Sequence, residues 1–226
     1  MAATADTAQL MDAVYRNQRH FYDLTRKYYL LGRDKLVSRL DVAAGAGVLE
    51  LGCGTGRNLI AAAKRYPEAR FYGIDISLEM LETARSNIEK AGLDGQIVLA
   101  QGDASDPEAP SVFGPQTFDR VFYSYTLSMI PVWRQALATG MAQLAPGGRV
   151  LVVDFGEQER LPALFKKALF AWLSKFHVSP RADLETELAT LALQNGAGLA
   201  VERPYRGYAF YAEINRPSEG HSPATK

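Results

Sequence analysis

Short apolar runs alternate along most of this chain with longer stretches in which apolar residues recur every three or four positions. The short runs predict buried strands and the longer stretches predict amphipathic helices, because these periods are those of the pleat and of the α-helix. The predicted strands are residues 48–51, 71–75, 96–100, 118–123, 149–154, 199–203 and 207–214. The predicted helices are residues 58–65, 78–91 and 132–144. Ser77 is the expected N-cap of the second helix, and Pro131 opens the third.

Strands that alternate with helices indicate βαβ units and a mostly parallel sheet with helices on both faces. The last two strands follow each other through a short turn, which predicts an antiparallel C-terminal hairpin. The fold class is therefore α/β, with a Rossmann-like, seven-stranded domain at residues 46–215. We expect a helical cap at residues 1–45, a helical insertion at 157–195 and a disordered tail at 216–226. The cap and the insertion should lie above the carboxyl ends of the strands, where such sheets bind ligands.

The loop after the first strand has glycines at three alternate positions, Gly52, Gly54 and Gly56. Such a loop permits a tight strand-to-helix turn and lets the backbone approach a nucleotide-like ligand. The next strand ends in Asp75, where a carboxylate can accept hydrogen bonds from ribose hydroxyls. The glycine spacing fits the dinucleotide fingerprint poorly. Together with Glu50, it resembles motif I of class I S-adenosylmethionine (SAM) methyltransferases.

Three further segments follow in that family's order: residues 101–104 after the third strand, 118–121 on the fourth, and the Pro-Gly-Gly turn of 146–148 before the fifth. The resemblance covers residues 48–154 and implies SAM-dependent methyl transfer with S-adenosylhomocysteine as product. It implies that Asp103 holds the adenine amino group and that Glu50 contacts the amino group of the cofactor. The cofactor-binding residues that it implies are Glu50, Gly52, Gly54, Gly56, Asp75, Ile76, Asp103 and Ala104.

The composition of the chain limits which partners, metal sites and cellular compartments we expect. A chain of 226 residues suits one α/β domain, and its formal net charge of zero favours no nucleic-acid partner. The three histidines lie far apart, so we expect no metal site. The single cysteine, Cys53, stands in the glycine loop, where a small residue is needed, and we expect no nucleophilic role for it. The N-terminus lacks the pattern of a signal peptide, which favours a cytoplasmic protein.

Methyl transfer from a sulfonium requires positioning of the reactants and exclusion of water more than it requires a strong base. An amine acceptor needs to lose only one proton, and aromatic faces stabilise a methylated cation by ~0.5–2 kcal/mol each. Aromatic residues are dense in the cap and at the strand ends. From these regions we predict Tyr22 and Tyr123 as catalytic residues. We predict Arg26, Tyr29 and Asp154 as substrate-binding residues.

Residues 161–177 predict a basic helix rich in large apolar side chains. One broad face of that helix combines Leu164, Phe165, Ala168, Leu169, Trp172 and Phe176. Such a helix can lie at a membrane surface or close over its own domain as a lid, and the pattern leaves both open. In the membrane interpretation, Trp172 and Phe176 are the residues that insert.

The cap supplies a second resemblance. Residues 22–34, with 11–16 and 18–20 before them, are similar to the cap of the betaine-lipid N-methyltransferases. The resemblance implies successive methylation of diacylglyceryl homoserine to the trimethylated lipid, with peripheral contact at the inner membrane. The soluble bacterial phosphatidylethanolamine N-methyltransferases are similar in architecture. A quinone or natural-product methyltransferase remains an alternative, as does a non-catalytic SAM-binding partner subunit, and the oligomeric state is open.

Overall fold

The computed structural model describes residues 29–114, 117–176 and 178–218. Helices in this part of the chain are α1 Arg33–Arg39, α2 Arg57–Arg65, α3 Leu78–Ala91, α4 Trp133–Ala142, α5 Ala163–Ser174 and α6 Leu184–Gln194. The strands are β1 Gly47–Leu51, β2 Arg70–Asp75, β3 Ile97–Gln101, β4 Phe118–Ser124, β5 Leu144–Phe155, β6 Gly198–Glu202 and β7 Ala209–Asn215. A 3-10 helix spans Ala109–Phe113, and a single turn, Pro204–Gly207, precedes β7.

The strands form one seven-stranded sheet in the order β3-β2-β1-β4-β5-β7-β6. The first five strands are parallel, and β7 runs antiparallel to both β5 and β6. This confirms the predicted Rossmann-like fold and its antiparallel finish. The chain moves outward from β1 to β3 on one side and then returns to β4 on the other. Ligands bind in the crevice at such a reversal, at the carboxyl ends of the strands.

Helices cover both faces of the sheet, as predicted. One core cluster joins residues of α1, α2 and α3 with Leu173 of α5, and the other joins α4 and α6 to the opposite face. Helix α3 begins where its sequence predicts, because the Ser77 hydroxyl accepts a hydrogen bond from the N–H of Met80 at 3.3 Å. It ends at Gly92, whose left-handed φ of 67° suits a C-terminal cap. In the described part of the chain, no helix has the length and apolarity needed to cross a membrane.

Several boundaries differ from those predicted, and β5 begins at Leu144 rather than at Arg149. Helix α6 begins at Leu184, and Arg181, shortly before it, is bound through its side chain. Its guanidinium donates to the carbonyls of Leu127 at 3.1 Å and Ile130 at 2.8 Å, in the loop after β4. Strand β7 begins at Ala209 because the three residues before Tyr208 have left-handed φ angles that break the extended backbone.

Candidate functional site

The loop between β1 and α2 turns sharply because all three of its glycines have left-handed φ angles, +80° at Gly52, +54° at Gly54 and +74° at Gly56. The N–H groups of Gly52 and Cys53 both donate to the carbonyl of Ile74, at 2.8 and 2.9 Å, so the loop is tied to β2. Burial raises the pKa of the Cys53 thiol well above its ordinary value. The thiolate is therefore suppressed, which agrees with a packing role for this side chain.

Two of these glycines serve different purposes. A Cβ atom added to Gly52 would lie 2.1 Å from Cγ2 of Thr126, so this glycine is required by packing against the loop after β4. A Cβ added to Gly54 would meet nothing within 4 Å. Gly54 therefore presents bare backbone to open space, which is the condition for close approach of a ligand.

Glu50, at the carboxyl end of β1, is a buried carboxyl group with one oxygen unused. Its Oε1 accepts a hydrogen bond from the side-chain amide of Asn58 at 2.7 Å. Its Oε2 is buried and has no hydrogen-bond partner among the described residues. Burial raises the pKa of Glu50 to about 8, opposed by the Asn58 hydrogen bond and the positive charge of Arg33. A buried acceptor without a donor is costly, so this oxygen is suited to a cationic or N–H group of a ligand.

The two predicted acids on neighbouring strands lie at the same edge. Asp75, at the end of β2, accepts hydrogen bonds from the N–H of Gly54 at 2.7 Å and of Ser77 at 3.0 Å. Asp103, two residues beyond β3, accepts from the N–H and hydroxyl of Ser105 at 2.9 and 2.7 Å. The next residue after each acid, Ile76 and Ala104, is half-buried and buried respectively. The structure thus brings the eight predicted cofactor residues to the ends of β1, β2 and β3.

This arrangement fits SAM. The open backbone at Gly54 leaves room for a ligand beside the loop, and the orphaned oxygen of Glu50 can accept a hydrogen bond from the amino group. Asp75 stands where a ribose is bound in folds of this kind, and Asp103 follows the adjacent strand.

An apolar, largely aromatic pocket lies above the carboxyl ends of β4 and β5. It is lined by Tyr29, Leu30, Tyr125, Met129, Phe155, Trp172, Leu173, Phe176 and Val178. Its rings pack edge to face, with centroids 4.8 Å apart for Tyr29 and Trp172 and 4.7 Å apart for Tyr125 and Phe155. The residue after Tyr125, Thr126, contacts the carbonyl of Gly52 through its hydroxyl at 3.3 Å. The pocket therefore adjoins the glycine loop.

Tyr29 is the one predicted substrate residue that the structure places in this pocket. Tyr22 and Arg26 lie outside the described residues, and their predicted roles stay predictions.

The prediction that Tyr123 is a catalytic residue requires a correction. Its side chain is fully buried, and its hydroxyl donates to the carbonyl of Ala136 in α4 at 2.5 Å. Burial raises the pKa of this phenol, so it stays protonated. The strand alternation turns Tyr123 into the core on the α4 side, away from the pocket, and its role here is packing.

Asp154 also requires a correction. Its carboxylate is 1% exposed and accepts hydrogen bonds from the N–H of Ser128 at 3.0 Å and of Phe155 at 2.7 Å. Burial raises its pKa, opposed by these hydrogen bonds. One oxygen holds the loop after β4 through Ser128, and the other is bound to the adjacent N–H of Phe155, so Asp154 supports the pocket wall without lining it.

The residues of the site that were not predicted include Tyr125, Phe155 and Arg33. Phe155 directly follows Asp154 and therefore projects from the other face of β5. Tyr125 lies just beyond β4, and its left-handed φ of 57° breaks the alternation that would otherwise put it on the same side as Tyr123. Burial raises the pKa of Tyr125 well above its ordinary value, and Arg33 opposes this effect. Arg33 is itself buried, and its charge acts on both Glu50 and Tyr125, so it lies near both side chains. No sequence pattern singled it out among the other basic residues of the cap.

Helix α5 covers the pocket with only part of the predicted apolar face. Trp172 and Phe176 point inward and pack on each other at 5.0 Å between centroids, so the expectation that they insert into a membrane is not supported. Leu164 and Phe165 point outward and are 80% and 46% exposed. The helix is therefore a lid on its inner face and carries an exposed apolar patch on its outer face.

Comparisons with known proteins agree with this architecture. A model of the family described as a methyltransferase domain matches residues 43–195. The ubiquinone/menaquinone biosynthesis C-methyltransferase UbiE of Desulfotalea psychrophila is 35% identical over 138 residues, which are 59% of this chain and 53% of that protein. The phosphatidylethanolamine N-methyltransferase of Cereibacter sphaeroides is 32% identical over 165 residues, which are 70% of this chain and 78% of that protein.

The chain thus spans about half of the first relative's length and about four fifths of the second's. Among solved structures, that of the YcgJ protein from Bacillus subtilis superimposes with a TM-score of 0.64 at 16% identity, over 83% of this chain and 98% of that one. At this identity the likeness shows the fold alone. Because the family model covers more than half of the chain, this chain belongs to the methyltransferase-domain family, which confirms the prediction of a class I SAM-dependent methyltransferase.

Proposed function

We propose that this protein methylates the amine of a lipid head group at a membrane surface. The observation that carries the proposal is the aromatic pocket beside the glycine loop, closed by a helix whose outer face is apolar and basic. The pocket offers an acceptor site next to the cofactor residues, and the outer face offers a way to reach lipid.

SAM, when bound, supplies a methyl group activated by its sulfonium. The residues of the chain hold and orient the two reactants. The glycine loop and Asp75 would hold one end of the cofactor, and Glu50 would accept a hydrogen bond from its amino group. The closed aromatic walls of the pocket exclude water, which favours direct in-line transfer.

The pocket is suited to an amine that becomes a methylated cation. Ring faces attract poorly hydrated cations by ~0.5–2 kcal/mol each, and five aromatic residues line this pocket. Tyr125 of the pocket and Tyr208 behind it do not supply a base. Burial raises the pKa of Tyr208, behind Phe155, to about 12, and raises that of Tyr125 as well. These phenols stay protonated at neutral pH, so the amine loses its proton to water before transfer.

The outer face of α5 is suited to a lipid surface. Leu164 and Phe165 are exposed there, and the helix contains lysines and no acidic residue. Lys166 is paired with Glu157 at 3.5 Å, whereas Lys167 and Lys175 are exposed without an ion pair among the described residues. Exposed apolar residues flanked by lysines are typical of helices that lie at the interface of anionic membranes.

Two lipids are the best candidates for the acceptor. The Cereibacter sphaeroides relative is named for phosphatidylethanolamine, and the cap resembles enzymes that methylate diacylglyceryl homoserine. Both lipids carry an amine close to an oxyanion. We propose the betaine-lipid reaction on diacylglyceryl homoserine as the physiological one, with phosphatidylethanolamine as the alternative.

The proposal is tested with defined acceptors in neutral mixed micelles. We expect methylation of diacylglyceryl homoserine or phosphatidylethanolamine to exceed that of a demethylated quinol by at least about tenfold in kcat/KM, a difference of ~1.4 kcal/mol in the transition state. Trp172→Ala should lower turnover on the lipid, because the pocket loses its largest ring. Comparable kcat/KM values for the quinol and both lipids would contradict the proposal.

Membrane docking is tested by co-sedimentation with vesicles that contain anionic lipid. Leu164→Ser combined with Phe165→Ser should abolish pelleting and leave SAM affinity unchanged, because the patch lies outside the pocket. Leu193→Ser is the matched control, since Leu193 is 82% exposed on α6, away from this face. Equal pelleting of the wild type and the double variant would remove this face from the proposal.

The second candidate is methylation of a quinone. The UbiE relative, at 35% identity, favours it, and apolar, aromatic walls are also chemically suited to a quinol ring. In this case methylation would require an acceptor with a quinol ring and a prenyl chain, and a neutral amine would not be methylated.

A further inference from the structure

We propose that Arg160 and Arg206 form a subsite that binds the oxyanion of the acceptor, the phosphate or carboxylate carried next to its amine. This proposal rests on the proposed function and specifies the substrate class: an amine that bears a negative charge. The subsite lies on the strap, which we define as residues 156–160 paired with residues 206–208.

The strap is held by three backbone hydrogen bonds. The N–H groups of Gly156, Gln158 and Arg160 donate to the carbonyls of Tyr208 at 2.9 Å, Gly207 at 3.0 Å and Arg206 at 3.3 Å. The last of these bonds places the two arginines opposite each other. A Cβ added to Gly156 would lie 2.3 Å from the carbonyl oxygen of Gly207, so the close approach of the two segments depends on glycine.

The backbone of the strap is strained at Arg206. Tyr205, Arg206 and Gly207 have successive φ angles of 56°, 61° and 81°, and Gln158 opposite has 59°. Left-handed conformations are disfavoured for side chains other than glycine, asparagine and aspartate. Such strain occurs at ligand sites more often than elsewhere, which agrees with a functional use of the Arg206 side chain.

The acidic residues of the strap form ion pairs with other basic residues. Glu157 pairs with Lys166 at 3.5 Å, and Glu159 pairs with Arg203 at 3.3 Å. Arg160 and Arg206 are exposed and have no ion pair among the described residues. The backbones of Arg160 and Arg206 are joined by a hydrogen bond. Guanidinium groups that are not paired with a carboxylate favour binding of an oxyanion, because each can donate two parallel hydrogen bonds.

The strap also borders the acceptor pocket. The ring of Tyr208 lies 6.1 Å, centroid to centroid, from that of Phe155, a pocket residue. Tyr205 packs near Gly32, 3.6 Å from the position of an added Cβ, and the neighbouring carbonyl of Leu31 accepts the Tyr125 hydroxyl. If the amine of the acceptor is bound among the aromatic rings, its anionic group would therefore point toward the rim of the pocket, where the two arginines lie.

The test compares three acceptors in mixed micelles of a neutral detergent: phosphatidylethanolamine, diacylglyceryl homoserine and a long-chain alkylamine without an anion. The variants are Arg160→Gln, Arg206→Gln and the double variant. Arg70→Gln is the control, because Arg70 is exposed at the amino end of β2, on the opposite edge of the sheet. We expect the double variant to raise KM for the anionic acceptors about 10- to 100-fold, with kcat within about twofold, and to leave the alkylamine unchanged.

The lipid that loses more identifies the source of the oxyanion: phosphate if phosphatidylethanolamine is affected, carboxylate if diacylglyceryl homoserine is affected. An unchanged KM for both lipids would overturn the subsite. An equal rise for the alkylamine would also overturn it, since this would indicate damage to the pocket. Arg206→Gly separates charge from folding. It should raise the thermal midpoint by relieving the left-handed φ, and should raise KM as Arg206→Gln does.

A phosphorus NMR titration with inorganic phosphate separates this proposal from the proposed function. We expect the wild type and Arg70→Gln to broaden the phosphate resonance at millimolar phosphate and the double variant not to broaden it. This result would support the subsite even if no lipid were methylated. Equal broadening by the wild type and the double variant would overturn the subsite whatever the lipid assays give.

Discussion

Replacement of Glu50 by glutamine should remove a large pH dependence of folding stability. In the folded protein burial raises the pKa of Glu50 to about 8, from 4.5 for an ordinary carboxyl group. Between these two values the folded state keeps a proton that the unfolded chain releases, so stability falls as the pH rises. The loss is about 1.4 kcal/mol per pH unit, which amounts to about 3 kcal/mol between about pH 5.5 and pH 8. The side-chain amide of the variant does not titrate, so this contribution would disappear.

The assay is urea unfolding of the wild type and Glu50→Gln at both pH values, without cofactor. We expect the free energy of unfolding of the wild type to fall by about 3 kcal/mol more than that of the variant. Saturating SAM should reduce the difference, because a cationic amino group beside Oε2 lowers the pKa of Glu50. Parallel pH profiles for the two proteins would refute the assignment of Glu50 as a buried, protonated carboxyl group. An unchanged difference with SAM would remove it from the cofactor site.

Three further substitutions test separate parts of the site, with a fourth as a comparison. Asp75→Ala should weaken SAM binding by roughly 1–3 kcal/mol, or about ten- to hundredfold by calorimetry, because the ribose hydroxyls lose their acceptor; wild-type affinity would exclude Asp75. Gly54→Ala should weaken SAM binding strongly while thermal unfolding changes by only about 1 kcal/mol, since the new methyl group projects into the open space. Gly52→Ala should instead impair folding through its clash with Thr126. A thermal scan in which Gly54→Ala unfolds at a lower temperature than Gly52→Ala would contradict these roles. Tyr123→Phe should cost about 1 kcal/mol of stability and leave kcat unchanged, and a large loss of kcat at unchanged stability would restore it as a catalytic candidate.

The fold, and the meeting of the predicted cofactor residues at one edge of the sheet, could be predicted because their signals are local. The glycine loop, Asp75 and Asp103 each stand within one or two residues of a strand end, and parallel strands bring such ends to one edge. Ser77 begins α3 through a contact three residues away, which the sequence alone contains. These features need only the order of the elements and no knowledge of side-chain packing.

The acceptor half could not be predicted in the same way, because it depends on which way each side chain turns. Tyr123 and Tyr125 flank the same strand end, yet one points into the α4 side of the core and the other into the pocket. On α5, a single apolar stripe divides into inward Trp172 and outward Leu164, since only the tertiary contacts decide which part is covered. The strap depends on left-handed residues such as Arg206, which no turn signature announced.

The measurement that tests the central claim most directly is incubation of the protein with methyl-labelled SAM and a total lipid extract, followed by mass spectrometry of the labelled products. We predict label on the head-group nitrogen of an aminolipid, with species that carry up to three added methyl groups, and loss of the label with Asp75→Ala. Label confined to a quinone, or tight SAM binding without any labelled lipid, would contradict the account.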